Sequence, residues 1–127
     1  MEPGFNSEYQ AQAALERAFS KGELVIPAPV FAELLACPGR DQKFLEQFCR
    51  DTGITIDWVA TREIWITAGL AFQAYAARQK AQRNAQPRRI LADFLIGAYA
   101  LEKADRLLTL DKGLYHTAFP GLHLESF

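Results

Sequence analysis

The chain has 127 residues, half of them hydrophobic and 23% charged, with a formal net charge of −1 at pH 7. That length and apolar content suit one domain with a real core, and the near-zero charge excludes a global field drawing the protein to nucleic acid or a membrane, so a polyanion site has to be local. No apolar run approaches the roughly 18 residues that span a bilayer, and Met1-Glu2-Pro3-Gly4 lacks the basic and apolar regions of a signal peptide, so a soluble cytoplasmic protein is the expectation.

In chain order, Ser7 is placed to cap a first helix carrying Tyr9, Ala13, Ala14, Leu15 and Phe19 and ended by Gly22. Glu23-Leu24-Val25-Ile26 is a short apolar run stopped by Pro27, which predicts a strand. Pro29 suits the first turn of a second helix through Leu35, terminated by Pro38-Gly39. Asp41 to Arg50 predicts a third helix with Phe44, Leu45 and Phe48 on one face and Gly53 as its stop. Ile54 to Val59 alternates apolar and polar residues, the mark of a strand with one wetter face. Cys37 and Cys49 have no metal-type spacing and read as small buried hydrophobes in a reducing compartment rather than as a disulfide.

Thr61 caps a long helix through about Arg83, with Ile64, Ala68, Ala71, Phe72 and Tyr75 as its buried stripe. Residues 78 to 89 carry Arg78, Lys80, Arg83, Arg88 and Arg89 and no acid, with Asn84-Ala85-Gln86-Pro87 as a loop. Apolar positions 90, 91, 94, 95, 98 and 101 recur at helical spacing, so a helix runs from about Ile90 to Lys103. Arg106 to Leu110 predicts a buried strand that Asp111 ends. Lys112 to Tyr115 begins a turn or short helix, and Leu122-His123-Leu124 predicts a final edge strand. Strands separated by helices give an α/β, three-layer α/β/α sandwich with a mainly parallel sheet.

In such a sheet helices begin where strands end, at the carboxyl edge. Glu33, Asp93 and Asp111 each fall at such a junction, so the topology predicts three carboxylates on one rim. Singly, each has a plain reading: Asp93 as a first-turn acid favoured by the helix dipole, Asp111 as a turn residue, Glu33 as a solvated helix residue. Jointly they repel, and Mg²⁺ or Mn²⁺, which favour carboxylate oxygens, would resolve the conflict. The basic run is either a solvated helix end or an RNA groove. Its closeness to Asp93 makes Arg83, Arg88 and Arg89 the candidate RNA-binding residues. His116 and His123 have no serine or cysteine at nucleophile-elbow spacing, which leaves a hydrolase triad without support.

Three stretches, Val25-Ile26-Pro27-Ala28-Pro29-Val30-Phe31-Ala32-Glu33-Leu34-Leu35, Leu91-Ala92-Asp93-Phe94-Leu95-Ile96-Gly97-Ala98-Tyr99-Ala100 and Leu107-Leu108-Thr109-Leu110-Asp111, together resemble a PIN-domain protein, in particular a VapC-type ribonuclease toxin of a bacterial toxin–antitoxin pair. The resemblance implies Glu33, Asp93 and Asp111 as catalytic and metal-site acids for Mg²⁺ or Mn²⁺, and Thr109 as a supporting hydroxyl. It also implies an RNA substrate, a cognate antitoxin and a homodimer. PIN domains usually open with a strand ending in Asp, then Thr-Asn or similar. This chain opens inside what would be the next helix, without that strand or its acid. Two expectations follow: an endoribonuclease whose sequence here starts late, or a catalytically inactive PIN-like remnant that binds protein or RNA.

Overall fold

A computed structural model describes residues 13, 16–82 and 89–126. Residues 16–21 are helical, in keeping with the first expected helix. The ordered elements that follow are β1 (Val25–Pro27), α1 (Ala28–Ala36), α2 (Gln42–Thr52), β2 (Thr55–Asp57), α3 (Arg62–Gln82), α4 (Leu91–Lys103), β3 (Leu107–Leu108), α5 (Lys112–Ala118) and β4 (Leu124–Glu125). The chain divides into two compact units, one built mainly from residues up to Trp58 and the other from Val59–Leu107 with Asp111–Glu125.

In the first unit β1 and β2 pair in parallel, Val25 with Thr55, Ile26 with Ile56 and Pro27 with Asp57. Pro27, in extended conformation, both closes the strand and precedes α1. Pro29 then falls in the first turn, where its missing N–H costs nothing. Helix α2 starts at Asp41, whose carboxylate accepts from the Lys43 N–H at 2.9 Å, and stops at Gly53 in the left-handed conformation, φ 79°. The expected apolar face of α2 is corrected by one position. Leu45 and Cys49 point inward, while Phe44 and Phe48, also four apart, stack on each other in solvent. Phe31 is buried and meets Trp58 edge to face at 5.0 Å.

The second unit rests on α3 against α4. Thr61 caps α3 as expected, its hydroxyl accepting from the Ile64 N–H. Ile64 and Ala68 are fully enclosed, with Ala71, Phe72 and Tyr75 partly so. Phe94, wholly buried, stacks on Phe72 at 4.6 Å and tilts against Tyr75 at 5.5 Å. Burying one such ring stabilises by roughly 1.5–3 kcal/mol. Burial on α4 is shorter along the helix and wider around it than the expected stripe: Phe94, Leu95, Gly97, Ala98, Tyr99 and Ala100 are buried, whereas Ile90, Leu91 and Leu101 lie outside.

Two sequence expectations about strands need correction. Residues 106–110 pair only at Leu107–Leu108, because the partner β4 is itself two residues long. The Leu107 N–H donates to the His123 carbonyl at 2.9 Å, Arg106 pairs with Glu125, and Leu110 is left exposed. The second correction concerns the sheet. Among the described residues the strands form two separate two-stranded sheets, β1–β2 and β3–β4. The fold is therefore mostly helical with a small parallel sheet, within the α/β class. Among the described residues no helix is long and apolar enough to cross a membrane.

Candidate active site

The expected acids have distinct local settings. Asp93 occupies the first turn of α4, where its carboxylate accepts from the Ile90 N–H at 3.3 Å. That satisfies one of the donors a helix start leaves open, and the dipole favours the negative charge there. Asp111 stands at the start of α5 and accepts from the Leu114 N–H at 3.5 Å. Both plain readings of these residues thus hold, and neither uses up the carboxylate, which retains further acceptor positions.

What joins them is Arg89. Its Nη1 donates to Asp111 Oδ2 at 2.5 Å, and both side chains are partly exposed. Arg89 lies just outside α4, before the extended residue Ile90 that precedes its first turn, and Asp93 acts on it through charge. Burial works against the charged guanidinium, but the hydrogen bond to Asp111 and the nearby charges of Asp111, Asp93 and Tyr75 outweigh it, so the Arg89 pKa stands above its ordinary value. A direct Arg89–Asp111 pair was not foreseen. The sequence makes Arg89 a candidate RNA-binding residue, and nothing in a 22-residue separation announces a direct contact with Asp111. The basic run that ends four residues before Asp93 was the signal available.

Glu33 belongs to the first unit and is exposed on α1. Thr109 follows β3 and is partly buried. Arg83 and Arg88 lie outside the described residues. Arg78, on α3 three residues after Tyr75, has a buried Nη2 with no hydrogen-bond partner among the described residues. Of the two cysteines, both free, only Cys49 is the buried small hydrophobe expected; Cys37 is exposed at the end of α1.

Carboxylate oxygens are the donor chemistry that hard divalent cations take, and here two carboxylates bear on one cation, the guanidinium of Arg89. The donor type therefore fits such an ion. The number is short: among the described residues no three His, Cys, Asp or Glu side chains gather to hold one.

The PIN domain family model matches residues 5–120, spanning both units. The chain belongs to the PIN domain family. Membership generally implies nuclease activity, and PIN nucleases typically use divalent metals. No curated protein and no solved structure matches the chain.

Proposed function

We propose that this protein is a metal-dependent endoribonuclease, the toxin of a toxin–antitoxin pair, that cleaves single-stranded or structured RNA in the cytoplasm. The observation that carries the reading is the Arg89–Asp111 pair, with Asp93 near enough for its charge to act on the same guanidinium, in a chain of a nuclease family. In this reading the chain is one PIN-like domain that pairs with a second copy and with its antitoxin.

Asp93, Asp111 and Glu33 would hold Mg²⁺ or Mn²⁺, with Thr109 as a supporting hydroxyl. Such an ion, when bound, supplies the Lewis acidity needed for hydrolysis at phosphorus. The residues of the chain do the rest. The two helix starts fix the carboxylates of Asp93 and Asp111 in place, so little ordering is left for the moment of binding. Arg89 screens their mutual repulsion before substrate arrives and offers a guanidinium to the scissile phosphate, with Arg83 and Arg88 holding the flanking backbone. A second reading, an inactive remnant that binds RNA or protein, is favoured by the shortage of a third gathered acid among the described residues.

One experiment separates the two. Wild type and the variants Asp93→Asn, Asp111→Asn and Glu33→Gln are incubated with a labelled single-stranded RNA, with Mn²⁺ or with a chelator. Asparagine keeps an acceptor for the helix start, so a change in rate reports on the charge. The enzyme reading expects Mn²⁺-dependent cleavage that falls at least about a hundredfold in each variant. Cleavage by wild type no faster than by an Asp93→Asn, Asp111→Asn double variant would overturn it and leave the binding module.

A further inference from the structure

A depression between α5 and β4 has no part in the site above. It is open, with a volume of about 480 Å³, and is lined by Lys112, Gly113, His116, Leu122, His123 and Leu124. Lys112 and His116 stand one turn apart on α5, at i, i+4 spacing, and so share a face. Gly113 adds no side chain beside them. His123 arrives on the segment that leads into β4, while Leu122 and Leu124, half-buried against the core, supply apolar surface.

Three side chains able to carry positive charge therefore meet around an apolar lining. Among the described residues, none of the three makes a side-chain hydrogen bond or ion pair. The acids that border them in sequence are engaged elsewhere. Asp111 receives Arg89, and Glu125 receives Arg106. Lys112 is thus left without an ion-pair partner among the described residues, in a chain whose net charge of −1 supplies no general attraction for anions.

The lining selects among anions. A bare phosphate would gain nothing from Leu122 and Leu124, and an apolar ligand would gain nothing from Lys112. A nucleotide satisfies both. Its phosphate takes the lysine and imidazoles, and its base lies on leucine and imidazole faces, the sequence-tolerant stacking that single-stranded nucleic acid offers. The volume is within the range of small-ligand sites. Because Lys112 directly follows Asp111, the depression flanks the carboxylate site.

We propose that this depression is a nucleotide subsite, taking one base with its phosphate from a single-stranded nucleic acid. The proposal rests on the nuclease reading for its biological ligand, and on the three free side chains and apolar lining for its chemistry.

The chain has only two histidines, so their imidazole NMR signals are assigned with His116→Gln and His123→Gln. ¹⁵N-labelled protein is titrated with uridine monophosphate, uridine and inorganic phosphate at matched ionic strength. Uridine monophosphate should shift both imidazole sets to saturation, at concentrations about tenfold lower than either fragment requires. Signals that ignore it, or that respond equally to inorganic phosphate, overturn the subsite. A second arm measures a fluorescein-labelled ten-nucleotide oligouridine by anisotropy. The Lys112→Gln, His116→Gln, His123→Gln variant should bind about tenfold more weakly, with a flatter salt dependence. Oligouridine binding unchanged in that variant rejects the subsite and leaves the nuclease reading standing. Imidazole shifts with uridine monophosphate but no RNA cleavage reject the nuclease reading and leave the subsite.

Discussion

Gly97, midway along α4, is pressed against the ring of Phe119: a Cβ added to the glycine would lie 2.2 Å from the ring's Cε2, 2.6 Å from its Cδ2 and 2.8 Å from its Cζ. Both residues are buried. Distances this short are overlap, not contact, so the absence of a side chain is what lets the segment after α5 close onto α4.

Replacing Gly97 with Ala tests that closure. In an exposed helix the change would gain about 1 kcal/mol from helix propensity. Here the enclosed ring has little room to move, and overpacking of this kind costs about 1–3 kcal/mol. The clash should win, lowering the denaturant midpoint. Phe119→Leu, which removes the offending ring edge, should make the double variant less destabilised than the sum of the two single ones. Strict additivity would mean that the ring has found another position.

Arg89 gives a prediction that reads metal binding without catalysis. Its guanidinium sits on the carboxylate that an incoming cation would need. Arg89→Met should therefore enlarge the rise in Tm produced by a fixed Mn²⁺ concentration, since ligand binding to the folded state stabilises it by mass action. Without metal the cost should stay at or below about 1 kcal/mol, because a partly exposed pair is screened by solvent. A smaller Mn²⁺ effect in the variant would show that Arg89 builds the ion site instead of competing for it.

Cys37 and Cys49 should separate cleanly under a thiol reagent. Cys37 is exposed and should react at once in the folded protein, whereas Cys49 is buried and should react only as fast as the structure opens. Burial pushes the Cys49 thiol up, helped by Glu46 and opposed by Arg50. A raised pKa in the folded state means that the unfolded chain releases its proton first as pH increases. The contribution is complete below the thiol's ordinary value and is lost as pH climbs through the raised one. Wild type should therefore lose more stability than Cys49→Ala between pH 7 and pH values above the ordinary thiol range, read from paired denaturant melts. Equal losses would place the thiolate in solvent.

The helices were legible because their signals are local. Thr61, Asp41, Gly53 and Pro29 act within a turn of where they stand, and each marks a boundary that the structure keeps. Strand length was not legible, since it depends on a partner far away in the chain. The apolar run ending at Leu110 stops pairing at Leu108 because β4 offers only two residues. Burial was legible only where periodicity and tertiary contact agree. Phe94 fits both, whereas Ile90 keeps the spacing but falls before the first turn, outside the packed face. The site was half legible. Asp93 and Asp111 announce themselves as acids at element junctions, but the side chain joining them is 22 residues from one of its partners.

Asp93 and Asp111 also hold the first turns of the helices they begin. The consequence concerns how a nuclease of this design can age. Selection for folding alone would retain both acids after activity had gone, so their survival in a descendant says little about whether it still cuts. Glu33, exposed on α1, holds no helix start among the described residues, so on the proposed reading it is free to drift once catalysis is relaxed. The informative position for telling a working enzyme from a silent one is therefore the acid with the least structural work.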